Sequence, residues 1–318
     1  MRRRDFIKVI AGAAVAWPLA ARAQQAKPTI GFLDPGAPHV FAGFTEGLRD
    51  LGYVEGQNIT YVWRSADGNP NVVPELAAEL VALRVDIIAT AATLPVRAAK
   101  SATSTIPIVF LLGDAVTTGI VSNLSRPGDN LTGVSFLNDE LSSKRLELLR
   151  DVMPSLQSVA VFHDPNTTRR FLEVTEVTGR HLGLKLQVFA LTGLDTFEQA
   201  FAAVAAERLE AVDVLSSAFF NANRYRFAEL ALKYRVPAIY ESGEYVRAGC
   251  LLSYGPNLAK LFKQAATYAD KIIKGARPGD LPVEQPTKFE MLVNLKTAKA
   301  IGLKLSDSFL LRADDVIE

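Results

Sequence analysis

The sequence predicts an α/β protein made of two doubly wound, parallel-sheet lobes joined by a hinge, and two observations support this. Apolar strands alternate with amphipathic helices along the chain, which is the pattern of a parallel sheet covered by helices on both faces. The pattern then repeats: GFLDPG, with Asp34, returns about 130 residues later as VFHDPN, with Asp164. We therefore interpret the chain as a duplicated α/β unit.

The two copies match element by element. Each Asp-Pro turn leads into an amphipathic helix and then into a strand. In each copy a second helix is followed by an aspartate, Asp86 or Asp213, and an apolar strand, so we predict that these aspartates are equivalent. Each copy ends on a strand that finishes with serine and an aromatic residue, Phe136 or Tyr254, before a long helix. We predict that these last strands, TGVSF and GCLLSYG, connect the two lobes.

The start of the chain predicts an export signal. Three arginines precede a short apolar run, and an A-x-A cleavage pattern ends at Ala23. The run is too short to span a bilayer of about 30 Å, and RRDFIK resembles a twin-arginine signal, with a Sec signal as the alternative. We expect residues 1–23 to be removed and the mature protein to be soluble in the periplasm. The rest is expected to form lobe I, residues 27–133 plus part of 255–318, and lobe II, residues 134–252 plus part of the same C-terminal segment.

The composition excludes several classes of partner. The chain has 35 Lys and Arg against 34 Asp and Glu, and the export signal carries a net positive charge that the mature protein loses. No basic stripe remains, so neither nucleic acid nor an anionic membrane surface is expected as a partner. Cys250 is the only cysteine, so an intrachain disulfide is impossible, and it does not lie at the cleavage site where a lipid anchor would be attached.

Catalytic and metal-binding motifs are absent from the sequence. There is no G-x-G-x-x-G, Walker A, G-x-S-x-G or H-E-x-x-H motif. The histidines, His39, His163 and His181, are far apart and have no Cys or carboxylate at metal-ligand spacing. We therefore expect a binding protein and not an enzyme, with no cofactor and no metal.

Six segments carry a resemblance to a known family: LRDLGYVEGQNI, AAELVALRVDII, IPIVF, DELSSKRLELL, YGPNLAKLFKQAATYADKIIKG and LPVEQPTKFEMLVNLKTAKAIGL. In this order, from about Lys27 to the end, they resemble the tryptophan/tyrosine-type ABC transporter substrate-binding proteins. The resemblance implies a type I periplasmic binding protein fold and a receptor that closes on a small solute. It also implies a partner, an ABC permease in the inner membrane with its cytoplasmic ATPase, and we expect a monomer. The resemblance does not identify the solute.

The solute is expected between the lobes, because ligands of open α/β sheets sit outside the carboxyl ends of the strands. Thr93 precedes Pro95 at a predicted helix start, where a hydroxyl and free N–H groups suit a ligand carboxylate or simply cap the helix. Asp114 is predicted either to pair with a ligand ammonium or to be a solvated loop acid. Of Phe219 and Phe220 only one is expected to face the cleft, and we predict Phe219. The predicted ligand-binding residues are Asp34, Pro35, Gly36, Thr93, Asp114, Phe136, His163, Asp164, Asn166, Ser217, Phe219, Tyr240, Glu241, Glu244 and Tyr254.

Aromatic walls, an acid and a helix start together favour a zwitterion with an apolar side chain. The expected solute is therefore an aromatic or branched amino acid, although a small amide or an aromatic carboxylate fits the same residues. Two other functions stay open. One is a periplasmic sensing subunit that presents its ligand to a membrane receptor kinase, and the other is a hydrolase or isomerase that uses Asp114 or His163.

Overall fold

A computed structural model describes residues 27–36, 38–136 and 138–318 of the chain. The predicted export signal, residues 1–23, lies outside these residues. Two separate sheets organise the fold, one of five strands and one of seven. They define lobe I and lobe II, which confirms the prediction of two parallel-sheet α/β lobes.

The sheet of lobe I is parallel throughout, as expected for strands connected by crossover helices. Its strands, in spatial order, are β2 (Thr60–Ser65), β1 (Thr29–Asp34), β3 (Ile87–Ala91), β4 (Ile108–Leu112) and β5 (Leu131–Ser135). The helices between these strands in sequence are α1 (Ala42–Asp50), α2 (Val73–Ala82) and α3 (Thr93–Ala102). Short 3-10 helices, Pro38–Phe41 and Pro70–Val72, precede α1 and α2.

The sheet of lobe II begins with the same strand order and adds an edge that the repeat does not predict. Its strands, in spatial order, are β7 (Lys185–Ala190), β6 (Ser158–His163), β8 (Ala211–Val214), β9 (Ala238–Tyr240), β10 (Leu252–Gly255), β11 (Glu290–Asn294) and β12 (Asp315–Ile317). The pairing of β11 with β10 is antiparallel, and all other pairs are parallel. The helices that follow β5 are α4 (Asn138–Val152), α5 (Arg170–His181), α6 (Leu194–Ala206), α7 (Ala218–Ala222), α8 (Arg224–Tyr234), α9 (Gly243–Arg247), α10 (Leu258–Ile273), α11 (Leu295–Ile301) and α12 (Asp307–Leu310).

Alternation along the strands produces a core on each face of each sheet. In β1, Phe32 packs with Phe41 and Phe44 on one face, while Leu33 packs with Leu80 on the other. All of these side chains are almost fully buried. Burial of each such side chain contributes roughly 1.5–3 kcal/mol, so both faces of the sheet stabilise the lobe.

Two helices pack on the lobe opposite to the strand that precedes them. The strand β5 belongs to lobe I, but the next helix, α4, packs against β8, β9 and β10 of lobe II. Conversely, β10 belongs to lobe II, and the next helix, α10, packs against α1, β4 and β5 of lobe I. The predicted connecting strands, TGVSF and GCLLSYG, are therefore integral strands of the two sheets, and the chain crosses between the lobes just after each of them.

A glycine allows α10 to pack closely on lobe I. A Cβ atom placed on Gly43 of α1 would lie 2.3 Å from the carbonyl oxygen of Ala259 in α10. Only a glycine fits at that distance, so this position fixes the contact by which α10 returns to lobe I.

The predicted equivalence of the two repeats is confirmed at the first turn of each lobe and is wrong for the pair Asp86 and Asp213. The Asp34 carboxylate accepts the N–H of Gly36 at 2.9 Å, and Asp164 accepts that of Asn166 at 2.9 Å, so both turns are built alike. Asp86 lies before β3, but Asp213 lies inside β8 and is fully buried. The side chains that occupy equivalent places are Asp86, which accepts the N–H of Thr29, and Glu210, which accepts the N–H groups of Gln157 and Ser158.

Among the described residues, no helix combines the length and the apolar character that a membrane span requires.

Candidate functional site

A cavity lies between the two lobes, where the carboxyl ends of their strands face each other. It measures about 1190 Å³ including its open mouth, which suits a small molecule. Lobe I contributes the ends of β3 and β4 with the start of α3, and lobe II contributes the turns that follow β6, β8 and β9. This is the position that the strand-end argument predicts for a ligand.

The structure brings about half of the predicted residues to this cavity. Those that line it are Pro35, Thr93, Phe136, Asp164, Asn166, Ser217, Phe219 and Glu241. Those that do not line it are Asp34, Gly36, Asp114, His163, Tyr240, Glu244 and Tyr254.

The start of α3 points a helix N-terminus into the cavity. Thr93 and Leu94 are the first two residues of α3 and line the cavity together with Pro95. Their N–H groups have no partner within the helix, as in the first turn of any α-helix. Ala92, which precedes the helix, has φ 68° and ψ 159°, a conformation that is almost confined to glycine. Strain is therefore held at a turn whose residues line the cavity.

The aspartates of the two Asp-Pro turns hold their loops in place. The Asp34 carboxylate also accepts the Ser65 hydroxyl at 3.0 Å, and Asp164 accepts the Ser217 hydroxyl at 2.6 Å. Asp34 is fully buried and Asp164 nearly so. Both carboxylates thus have partners within their own lobes, which leaves them a role in shaping the cavity wall.

Glu241 is the acid that faces the cavity without a full set of partners. It follows β9, lines the cavity and is 7% exposed, and its Oε2 atom has no hydrogen-bond partner among the described residues. Burial raises the pKa of its carboxyl to about 6, against hydrogen bonds from Ser216 and Ser217 and the charge of Arg145, which lower it. With a pKa near 6 the carboxylate form predominates at pH 7, and its Oε2 atom is buried without a partner among the described residues.

Asp114, the alternative acid, folds back onto its own loop. Its carboxylate accepts the N–H groups of Val116 and Thr117 at 2.9 and 3.0 Å. Both bonds are accepted by Oδ1 in a local capping turn, and Asp114 is not among the residues that line the cavity. The structure therefore does not place Asp114 at the position predicted for a partner of a ligand ammonium.

Three other predicted residues pack into lobe II. Tyr240 is fully buried and stacks on Tyr245 with ring centroids 4.6 Å apart, because alternation along β9 turns it into the core. Tyr254 packs against Phe289, with centroids 6.2 Å apart. His163 is 9% exposed at the end of β6, and burial lowers the pKa of its imidazole, so it is neutral at pH 7.

Glu244 contacts the opposite lobe. Its carboxylate lies 3.5 Å from Nε2 of His39, and Asn221 donates to it at 3.1 Å. The same His39 nitrogen lies 3.0 Å from the Asn221 Oδ1 atom, while Arg224 approaches the other ring nitrogen at 3.5 Å. Since His39 lies in lobe I and the other three in lobe II, this cluster bridges the two lobes at the rim of the cavity.

Four phenylalanines form the apolar part of the wall. Phe136 and Phe219 are predicted from the sequence, and Phe171 and Phe262 are not. Phe219 lies on the short helix α7 and faces the cavity, whereas Phe220 is fully buried in lobe II. The prediction about this pair names the right residue, but helical geometry and not strand alternation separates the two rings.

Several polar lining residues were also missed. They are Asn69, Thr167, Thr192, Ser216 and Asn221. Thr192 and Ser216 come just after strand ends, so the rule that selected Thr93 could have selected them as well. Asn69 comes from the turn after β2, the edge strand, and the sequence offers no signal for its approach to the cavity.

The cavity thus has two polar ends and apolar walls. A helix N-terminus favours a negative group on the lobe I side, and a buried carboxylate favours a positive group on the lobe II side. Within the described ranges no group of three or more His, Cys, Asp or Glu residues is placed to hold a metal ion.

Two hinged α/β lobes with one such cavity between them define a two-lobed solute-binding protein. The model of the family of ABC transporter substrate binding proteins matches residues 32–317. The chain belongs to this family, whose members bind solutes.

Relatives agree with this assignment. A tyrosine-binding protein from Clostridioides difficile is 26% identical over 268 residues, which cover 82% of this chain and 76% of the relative. A conserved domain protein from Vibrio cholerae, 26% identical, has a solved structure that matches with a TM-score of 0.84 over 91% of this chain and 99% of its own. An ABC domain from Streptococcus pneumonia, solved in complex with L-Trp and 22% identical, shares the fold with a TM-score of 0.83 over 92% of this chain and 100% of its own.

Proposed function

We propose that this protein is the solute receptor of an ABC importer and that it closes its two lobes on a zwitterion with an apolar side chain. The observation that carries the proposal is that Thr93 and Glu241, on opposite lobes, line one cavity between aromatic walls. An aromatic or branched amino acid has the matching arrangement of charges and apolar surface. The tyrosine-binding relative and the L-Trp complex support the same class of solute.

The carboxylate of the solute binds at the start of α3. The Thr93 hydroxyl and the N–H groups of Thr93 and Leu94 are the donors, and the helix dipole adds to their attraction for an anion. Hydrogen bonds to a charged group contribute about 1.5–3 kcal/mol each. Pro95, which lacks an N–H, occupies the third position, so the two preceding residues supply the free backbone donors of this turn.

The ammonium group binds at Glu241 and not at Asp114. Glu241 lines the cavity and has a buried oxygen without a partner, whereas Asp114 does not line it and accepts two N–H groups of its own loop at Oδ1. Pairing a buried carboxylate with an ammonium removes the cost of leaving that charge uncompensated. Side chains such as those of tryptophan, tyrosine or leucine then lie among Phe136, Phe171 and Phe219.

A comparison of two acid variants tests the proposal. We expect L-tryptophan, L-tyrosine or L-leucine to bind the wild-type protein in isothermal titration calorimetry and in a thermal-shift screen. Glu241→Gln is expected to weaken that binding at least tenfold, because one charge-assisted bond of about 1.5–3 kcal/mol is lost. Asp114→Asn is the matched control and should leave the affinity unchanged.

The same screen contains the outcomes that contradict the proposal. If no amino acid raises the melting temperature but a neutral amide or an aromatic carboxylate does, the protein is still a solute receptor but its solute is not a zwitterion. A loss of affinity in Asp114→Asn but not in Glu241→Gln would move the ammonium site to lobe I. Conversion of the added compound during long incubation would indicate an enzyme.

We also propose that the chain is exported through its twin-arginine-like start, acts as a monomer and delivers its solute to a permease. Fractionation of cells that express the full chain tests the location. Replacing Arg3 and Arg4 with lysine should retain the precursor in the cytoplasm if the twin-arginine route is used, and should leave export unchanged if Sec is used. Light scattering of the mature protein measures its oligomeric state.

A further inference from the structure

A buried arginine, Arg145, lies in the interior of lobe II on the same face of the sheet as Glu241. The side chains of Asp213 and Glu241 share the α4 face of the lobe II sheet, since Asp213 pairs with Ile239 and Glu241 is two residues further along. Arg145 projects from α4 onto this face, and both it and Asp213 are fully buried. The Nε atom of Arg145 lies 3.4 Å from Asp213 Oδ1, and its Nη2 atom donates to the Ser142 hydroxyl at 3.0 Å.

Each of the three charged groups retains an unused polar atom. Among the described residues, Arg145 Nη1, Asp213 Oδ2 and Glu241 Oε2 are buried and have no hydrogen-bond partner. Buried charges are normally paired and fully hydrogen-bonded, because desolvation is costly. A buried pair that existed only to stabilise lobe II would use these atoms within the lobe. Of the three groups only Glu241 lines the cavity, so a ligand can supply a partner to Glu241, while Arg145 and Asp213 act on that carboxylate through their charges.

We propose that Arg145 is a positioning residue that acts through Glu241: its buried charge, on the same face of the lobe II sheet, favours the carboxylate form of Glu241 that binds the ammonium group of the solute. This inference rests on the proposed function and names the residue that acts through Glu241. Arg145 pairs with Asp213 in the interior, and its charge also acts on Glu241 at the cavity wall. Burial raises the pKa of Asp213 as well as that of Glu241 to about 6, so above this range the three groups carry a net charge of −1, and a bound ammonium brings the buried network to neutrality.

This charge balance makes the network selective. A solute that has a carboxylate but no ammonium leaves the extra negative charge uncompensated, and it is disfavoured. A solute with an ammonium provides the missing partner. Arg145 therefore contributes to specificity although α4 supplies no residue to the cavity wall.

Other groups around Glu241 act on the same carboxyl. Glu244 on α9 raises its pKa through like charge, and Ser216 and Ser217 lower it through hydrogen bonds. The buried Tyr245 on α9 also faces it, and that phenol stays neutral because burial raises its pKa well above the usual range. Arg145 is thus the cation that opposes both burial and Glu244 at this carboxyl.

The test is the pH dependence of binding in charge-matched variants. The probes are L-tryptophan, L-tyrosine and L-leucine, each measured by calorimetry between pH 5 and 8.5 together with its deaminated analogue, such as 3-indolepropionate. Because only the carboxylate form of Glu241 binds an ammonium, wild-type affinity is expected to fall as the pH drops through the range near 6. In Arg145→Met/Asp213→Asn both interior charges are removed together, so no unpaired charge is left in the core.

In this double variant the midpoint of the pH profile should move up by one unit or more, with affinity at pH 7 reduced at least about twofold and the preference over 3-indolepropionate reduced. Asp213→Asn alone frees Arg145 for Glu241 and should move the midpoint down, and Arg145→Lys should leave it close to wild type. A folded double variant with an unchanged midpoint overturns the role of Arg145. If the double variant does not fold, an unchanged midpoint of the pH profile in Asp213→Asn would equally contradict the role of Arg145.

These outcomes are distinct from a failure of the proposed function. If the wild-type protein binds none of the three amino acids, the proposed function fails. If it binds them with the expected pH dependence but the variants do not shift the midpoint, only the assignment of Arg145 fails.

Discussion

His39 bridges the lobes outside the cavity lining, and its removal should weaken solute binding without touching the solute. Its Nε2 atom lies 3.0 Å from Asn221 Oδ1, an acceptor, so this nitrogen carries the proton and donates. The other nitrogen is then free to accept from Arg224 at 3.5 Å. All of these contacts join the two lobes, so they stabilise the arrangement in which His39 meets lobe II, which is the closed form under the proposed function.

The expected magnitude follows from the geometry. The His39 side chain is 32% exposed, so its bonds contribute near the middle of the usual net range of 0.5–1.5 kcal/mol. Loss of about 1 kcal/mol from the closed form in His39→Ala corresponds to roughly a fivefold weaker affinity, since about 1.4 kcal/mol is tenfold. The apparent affinity falls because a smaller fraction of the protein is competent to hold the solute.

Calorimetry and stopped-flow dissociation measure this effect, and small-angle X-ray scattering measures the balance of open and closed forms. We expect a faster dissociation rate and a larger radius of gyration in His39→Ala. His181→Ala is the control, because His181 lies exposed at the end of α5. An unchanged affinity would refute the reasoning, as would a weaker affinity with no change in the balance of forms.

Three further predictions concern the cavity wall. Glu241→Gln should stabilise the solute-free protein by about 2 kcal/mol at pH 8. In the folded protein the pKa of Glu241 is raised from 4.5 to about 6. Ionisation of this carboxyl therefore opposes folding to the full extent above pH 6 and has no effect on stability below about pH 4.5. Urea denaturation at pH 8 and at pH 4 measures the difference, and an equal effect at both values would contradict it. Ala92→Gly should raise stability by up to about 1–2 kcal/mol. The substitution relieves a backbone strain of about 1–3 kcal/mol, while the greater freedom of glycine in the unfolded chain costs about 0.5–1 kcal/mol. A lower denaturation midpoint of the variant would count against strain at this turn. Gly255→Ala places a Cβ atom 1.8 Å from the Glu241 carbonyl oxygen. Stability should therefore fall by about 1–3 kcal/mol, and the affinity for amino acids should fall as well. Retained affinity would show that the Glu241 backbone can shift without loss of binding.

The periodic features of the chain account for how well its fold could be predicted. Alternation of apolar strands and helices identifies parallel sheets, and the Asp-Pro turns around Asp34 and Asp164 mark the start of each lobe. The same local reasoning failed for Asp213, because a buried aspartate inside a strand and an aspartate before a strand differ by only a few residues in sequence. The pairing of β8 with β6 and β9 decides between them.

Candidate site residues were predicted from strand ends, and this rule has a physical limit. It selects loops such as those of Thr93 and Glu241, because parallel strands all end at one edge of a sheet. It does not tell which side chain turns back onto its own loop, as Asp114 does, or into the core, as Tyr240 does. Those outcomes depend on hydrogen bonds and packing within a few ångströms.

The sequence by itself determined the two α/β lobes, their order along the chain and the first turn of each repeat, because these depend on local periodicity and turn chemistry. Only the tertiary structure decided that α4 and α10 cross to the opposite lobe and that His39 meets Asn221 and Glu244. It also decided that Arg145 is buried on the same face of the lobe II sheet as Glu241. These contacts join residues that are distant in the chain, and no local pattern encodes which surfaces meet once the two sheets are assembled.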